Sequence, residues 1–239
     1  MSAVTKTAQS LAGDIGRMQR ESGMVMATVS SLDDDEIGKP TKCAGWTRAH
    51  VIAHLALDAE AMTNLATWAA TGREHPDYAS REERNADIEA AAGQSAAELA
   101  GALARANDRL VAALEALKDG AQVPTLPTLL SGEANAFSLP ARRTTELIVH
   151  HDDLATTWEW HEADPEATLD AIEVCVLRLQ ADPRSPGLRI VAGEGEQWVV
   201  GGGALRIEGY YEELLPFLAR GQVEEGLQYE GGLPKLPPW

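Results

Sequence analysis

Apolar residues recur at helical spacing through the first two-thirds of the chain. From about residue 5 to 32, Leu11, Ile15, Met18, Val25, Val29 and Leu32 follow at intervals of three, four and seven. That pattern predicts an amphipathic helix ending at the acidic run Asp33-Asp34-Asp35-Glu36. A linker with Gly38, Pro40 and Gly45 follows, and Thr47 suits the N-cap of a helix to about Thr71, with Gly72 just past its end. Ser80 with Glu83, and Ser95 with Glu98, have the spacing at which hydroxyl and carboxylate satisfy the orphan N–H groups of a helix start. The second opens an Ala/Leu-rich helix to about Lys118, stopped by Gly120. Residues 121–137, with two prolines, read as loop. Pro140 suits the first turn of a long helix reaching about Trp160. Four long helices joined by loops predict an up-and-down bundle with one longer excursion at 72–95.

After His161 the pattern changes. Asp164-Pro165 opens a helix to about Ala181, which Pro183 and Pro186 break. Leu188–Val191, Gln197–Val200 and Ala204–Ile207 are short β-like runs, separated by Gly193-Glu194-Gly195 and Gly201-Gly202-Gly203 as hairpin turns would separate them. A short helix over about 210–220 closes at Gly221. The expected class is α+β, with a four-helix metal-binding bundle over 1–162 and a smaller α+β domain containing an antiparallel sheet over 163–239.

Composition narrows the partners. Asp plus Glu number 37 and Lys plus Arg 20 in 239 residues, a formal charge of −17 with no basic stripe. Such a surface repels a phosphate backbone or an anionic leaflet, so neither nucleic acid nor membrane is an expected partner. No apolar run approaches the roughly 20 residues that span a bilayer, and no apolar segment near the N-terminus suggests export. Cys43 and Cys175 are far apart and form no CxxC pair, the usage of a reducing cytoplasm. A cytoplasmic monomer acting on small molecules is expected.

The chemistry gathers on two helices. His50 and His54 are one turn apart, with Asp58 a further turn on; Glu146 and His150 repeat the spacing, with Asp153 three beyond. Each group shares one helix face, and two such faces can meet inside a bundle, where such folds build metal sites. Spacing alone fits equally well a solvated face or histidines satisfied by core hydrogen bonds. Imidazole plus one carboxylate without thiolate suits Zn²⁺, with Fe, Ni and Mn as alternatives, and three protein ligands would leave a fourth position open. His151 falls beside Leu147 and Leu154 on the packing face and has no expected metal role.

The run Gly45-Trp-Thr-Arg-Ala-His50-Val-Ile-Ala-His54-Leu-Ala, then Asn64–Tyr78 and Ser80-Arg-Glu-Glu-Arg-Asn85, closely resembles the mycothiol-dependent maleylpyruvate isomerases. The resemblance continues at Glu146-Leu-Ile-Val-His150-His-Asp-Asp-Leu154, at Leu218-Ala-Arg220-Gly221 and at the terminal Pro-Pro-Trp239, so it spans nearly the whole chain. It implies a DinB-like four-helix bundle with a catalytic zinc, backed by a smaller α/β domain that contributes an arginine. The implied zinc ligands are His54, Glu146 and His150, with water or thiol in the fourth position, and the implied catalytic arginine is Arg220. His50 reads as a neighbour of the site, while Asp58 and Asp153 read either as hydrogen-bond partners of ligands or as solvated helix residues. Pro216 implies that the helix carrying Arg220 is kinked or begins late.

The implied activity is zinc- and mycothiol-dependent conversion of the dicarboxylate maleylpyruvate to fumarylpyruvate by reversible thiolate addition, in gentisate-type aromatic degradation. Neither cysteine lies in a helical metal pattern, so the nucleophile is expected to be a diffusible thiol, which the resemblance names as mycothiol. The anionic substrate requires a locally positive pocket, supplied by Zn²⁺, Arg220 and Arg48. A mycothiol S-transferase releasing the conjugate, a metal-dependent hydrolase and a zinc-binding sensor are the alternatives.

Overall fold

A computed structural model describes residues 6–129 and 132–237. Eight α-helices are present among them: α1 Leu11–Ser30, α2 Asp34–Ile37, α3 Arg48–Thr71, α4 Arg81–Ala91, α5 Ala96–Glu115, α6 Leu139–Asp153, α7 Pro165–Ala181 and α8 Tyr211–Arg220. The six strands are β1 Thr125–Thr128, β2 Gly132–Asn135, β3 Leu188–Ala192, β4 Gln197–Val200, β5 Leu205–Gly209 and β6 Gln228–Tyr229. The chain divides into two compact units, Lys6–Glu159 and a second from Trp160 onward.

The first unit is a bundle of α1, α3, α5 and α6. Helix α1 packs on α5 and α6, and α3 packs on the same two, so α1 and α3 face one another across the bundle. Helices consecutive among the four are therefore not all neighbours, which departs from a simple up-and-down ring. Leu11, Ile15, Met18, Val25 and Val29 are buried as their spacing predicts, and Leu99, Leu103, Leu110 and Leu114 of α5 meet them in one core. Ser95 and Glu98 close a reciprocal cap, with Ser95 N–H donating to Glu98 Oε2 at 2.9 Å and Glu98 N–H to Ser95 Oγ at 3.4 Å. Gly72 ends α3 in the left-handed region, at φ 70°. Within the excursion, α4 lies along α3 and buries Ile88.

Two local expectations change. Residues 121–137 hold a small antiparallel pair, β1 with β2, rather than loop alone. Helix α6 stops at Asp153 and not near Trp160. The carbonyls at and just past its end are taken by side chains and backbone from elsewhere: Lys42 N–H donates to Asp153 O at 3.0 Å, Arg48 Nε to Leu154 O at 2.8 Å, and Arg48 Nη2 to Ala155 O at 2.7 Å. Ala155 then turns the chain at φ 51°. Arg48 is thereby committed to this helix end and to Glu36, not to a substrate pocket.

The second unit places its sheet in the order β4-β3-β5-β6. The β3–β4 and β5–β6 pairs are antiparallel, as the class predicts, but the central pair β3–β5 is parallel, with Leu188 opposite Leu205. Gly201–Gly203 therefore does not make a second hairpin. It carries the chain across the start of β3, and a Cβ on Gly187 would meet the Gly203 nitrogen at 3.1 Å. Only glycines allow that close approach. Helix α8 begins at Tyr211 and runs through Pro216, so it does not start late; the missing N–H falls opposite exposed Glu212. Arg220 ends α8 before Gly221, at φ 68°, and lies close enough to Arg178 for their charges to oppose. The resemblance at Pro-Pro-Trp239 falls partly on residues 238–239, outside the described residues. No described helix is long and apolar enough to cross a membrane.

Candidate metal centre

Helices α3 and α6 are neighbours in the bundle, and each presents one polar stripe to the seam between them. His54 comes from α3, and Glu146 and His150, one turn apart, from α6. Their ligand atoms form a nearly regular triangle. His54 Nε2 lies 3.1 Å from His150 Nε2 and 3.3 Å from Glu146 Oε2, and His150 Nε2 lies 3.3 Å from the same oxygen. A tetrahedral zinc with bonds of about 2.0–2.1 Å holds its ligand atoms about 3.3 Å apart, so the triangle matches that ion's dimensions. Two imidazoles and a carboxylate also form a donor set that catalytic zinc sites use with a fourth position open. These three residues could hold a divalent metal. Both histidines are 5% exposed, whereas the Glu146 side chain keeps 18%, so the site is walled yet reachable on one side.

The electrostatics ready two of the three groups for a metal, while His150 would exchange a proton for it. Burial pushes the His54 pKa down to about 4, leaving a neutral ring with a lone pair at pH 7. Burial opposes ionisation of Glu146, but His150 and His54 outweigh it and hold this carboxyl well below the usual carboxylate range. For His150, too, burial is overcome: Asp153, Cys43 and Glu146 hold its pKa well above the ordinary value. His150 Nδ1 stands 2.9 Å from Asp153 Oδ2, and the Cys43 thiol donates to that same oxygen at 3.2 Å. Asp153 is thus the carboxylate behind His150, where a ligand histidine normally finds its orienting partner. Cys43, which lies in no helical metal pattern, thus donates to the carboxylate beside His150.

Other residues fall elsewhere. His50 is one turn before His54 but belongs to the helix start. Its Nδ1 accepts from Thr47 N–H at 3.2 Å, and its Nε2 faces exposed Glu89 at 3.3 Å. Asp58 accepts from Arg143 Nη1 at 2.8 Å, and Arg143 Nη2 donates to Asn107 Oδ1 at 3.0 Å. Burial, reinforced by Glu146, raises the Asp58 carboxyl to about 6. His151 bonds Thr28 at 2.7 Å and stacks on Trp158, in the packing role its position predicts.

Sequence reasoning missed two residues from the excursion, Tyr78 and Arg84. Arg84 Nη2 lies 3.1 Å from His54 Nδ1, and its guanidinium sits over the Tyr78 ring at 5.5 Å. Both stand in the stretch quoted for the resemblance, but no periodicity or motif ties them to a ligand set.

Residues 18–155, which contain His54, Glu146, His150, Asp153 and Arg84, match the family model described as the mycothiol maleylpyruvate isomerase N-terminal domain. The chain belongs to that family. This member also resembles two solved structures of a mycothiol-dependent maleylpyruvate isomerase, one of them a histidine-to-alanine mutant. Their TM-scores are 0.85 and 0.84 at 22% identity, over 98% of this chain and 100% of theirs. At that identity the likeness establishes the shared fold of the family member and no more. No curated protein matches the chain.

Proposed function

We propose that this chain catalyses the zinc- and mycothiol-dependent isomerisation of maleylpyruvate to fumarylpyruvate. The observation that supports this reading most is the triangle of His54, Glu146 and His150 at the spacing of a tetrahedral ion, in a chain of this family. A bound Zn²⁺ would keep the thiol cosubstrate ionised near neutral pH and beside the substrate. The thiolate sulfur then bonds to one carbon of the conjugated C=C, and the π pair moves onto the ketone oxygen as an enolate. The former double bond is now single and rotates. Collapse of the enolate reforms C=C in the trans form and expels the thiolate, so the thiol is not consumed and nothing is oxidised or reduced.

The protein's own work is positional. His54, Glu146 and His150 would supply the metal's three protein ligands, and Asp153 orients the His150 ring through Nδ1. Near-complete burial of the two imidazoles keeps bulk water from their ligand atoms. Arg220, assigned by resemblance, would stabilise the enolate and hold a carboxylate, tasks a guanidinium fork performs well.

The test combines metal analysis with an isomerase assay in the presence and absence of mycothiol. Turnover should require both zinc and thiol and leave the thiol concentration unchanged. His54→Ala should lose most bound zinc and lower turnover by about a thousandfold or more. Arg220→Lys should lower turnover while zinc is retained. Full activity of zinc-free protein would refute the reading; stoichiometric thiol consumption would replace it with an S-transferase.

A further inference from the structure

The first unit holds a cation that this mechanism does not use. Arg84 lies one turn into α4, which Ile88 anchors against α3. Its Nη2 lies 3.1 Å from His54 Nδ1, its Nη1 donates to Asn85 Oδ1 at 3.2 Å, and its Nε is buried with no hydrogen-bond partner. Asp77, Glu83 and Asp87 line a cavity with it, yet among the described residues no carboxylate comes within ion-pair distance of the guanidinium. A half-buried guanidinium without a counter-ion is costly unless something supplies one.

Its contact with His54 sharpens the point. A neutral imidazole that binds a metal through Nε2 carries its one proton on Nδ1, and Nδ1 then has no lone pair to offer Arg84. Metal loading of His54 therefore takes away the acceptor nearest Nη2. What remains is a fork of donors next to the metal ligands, in a chain of net charge −17 that must admit an anion.

We propose that Arg84 is a carboxylate-binding residue of this site, gripping one carboxylate of a small dicarboxylate beside the metal. The assignment rests on the reading of the site given under Proposed function. The Tyr78 ring lies within cation–π reach of the guanidinium, 5.5 Å from ring centre to guanidinium carbon, and helps hold it in place. Burial raises the Tyr78 phenol above its ordinary value, so it stays neutral and adds no competing charge.

The test uses zinc-loaded wild type, Arg84→Gln and Arg84→Lys, with zinc content measured for each. Calorimetry then compares maleate with maleamide, its neutral diamide. All three proteins should retain zinc. Arg84→Gln should weaken maleate by about 10- to 100-fold and leave maleamide unchanged, with Arg84→Lys in between, because an ammonium offers one point of charge and no fork. In turnover, KM should rise more than kcat falls. Unchanged maleate affinity in Arg84→Gln, equal weakening of both probes, or no maleate binding by zinc-loaded wild type would overturn the Arg84 assignment alone. Failure of wild type to bind zinc would overturn the reading beneath it as well.

Discussion

The two units treat charge in opposite ways. In the first, Asp14, Glu21, Arg48, His54, Asp58, Arg143, His150, His151, Asp152 and Asp153 are all buried. In the second, the buried interior of the sheet and α8 is apolar, with Asp170 and Glu173 of α7 the buried acids. Two ion pairs of that unit, Arg184 with Asp182 and Arg206 with Glu208, join residues two apart on its surface. Removing a charge from water costs several kcal/mol, so a fold optimised for stability alone gathers few of them. Eight of these ten stand on α3 and α6, the two helices that bring His54 and His150 together, while Asp14 and Glu21 stand on α1.

The sharpest way to break this contrast is to remove one member of a buried pair. Arg143→Ala leaves the Asp58 carboxylate buried without its guanidinium and should destabilise the protein by about 3–5 kcal/mol, read from denaturant unfolding. A smaller effect lies in pH dependence. With its folded-state pKa raised to about 6 from an ordinary 3.8, Asp58 keeps a proton in the native state that the unfolded chain has already released. The Asp58 contribution to the stability of chelator-treated protein should therefore fall as pH rises from about 4 to 6, by up to about 3 kcal/mol, against an opposite slope from His54, whose folded pKa is pushed down to about 4; Asp58→Asn should leave stability rising with pH across that range. Asp153→Asn, which removes the carboxylate behind His150, should weaken zinc binding by about 10- to 100-fold in competition with a chromophoric chelator. Smallest of all, Arg206→Ala should change stability by less than about 0.5 kcal/mol, because that pair is solvated on both sides.

Much of the first unit was legible in the sequence, because helix signals are local. Caps at Ser95 and Gly72, the apolar stripe of α1 and one-turn spacing of Glu146 and His150 all act over a few residues. His50 and His54 show where that locality ends. The two look alike in sequence, and what distinguishes them is that His50 sits three residues after the N-cap Thr47, at capping-box spacing, a signal that was available. Arg84 and Tyr78 gave no such signal, since their place depends on how residues 72–95 fold back along α3. The end of α6 was set by Arg48 and Lys42, more than a hundred residues earlier in the chain. In the second unit, the glycine run on its own fits a hairpin, its commonest use; the parallel β3–β5 pairing depends on the close crossing at Gly187.

The most direct measurement is X-ray absorption at the zinc edge of the loaded Cys43→Ser protein, before and after addition of mycothiol. Cys43→Ser removes the thiol nearest His150, so any sulfur seen at zinc then comes from the cosubstrate. The account predicts nitrogen and oxygen ligands alone at first, and one sulfur at about 2.3 Å once mycothiol is present. Protein that takes up no zinc, or zinc whose ligands stay free of sulfur under saturating mycothiol, would contradict it.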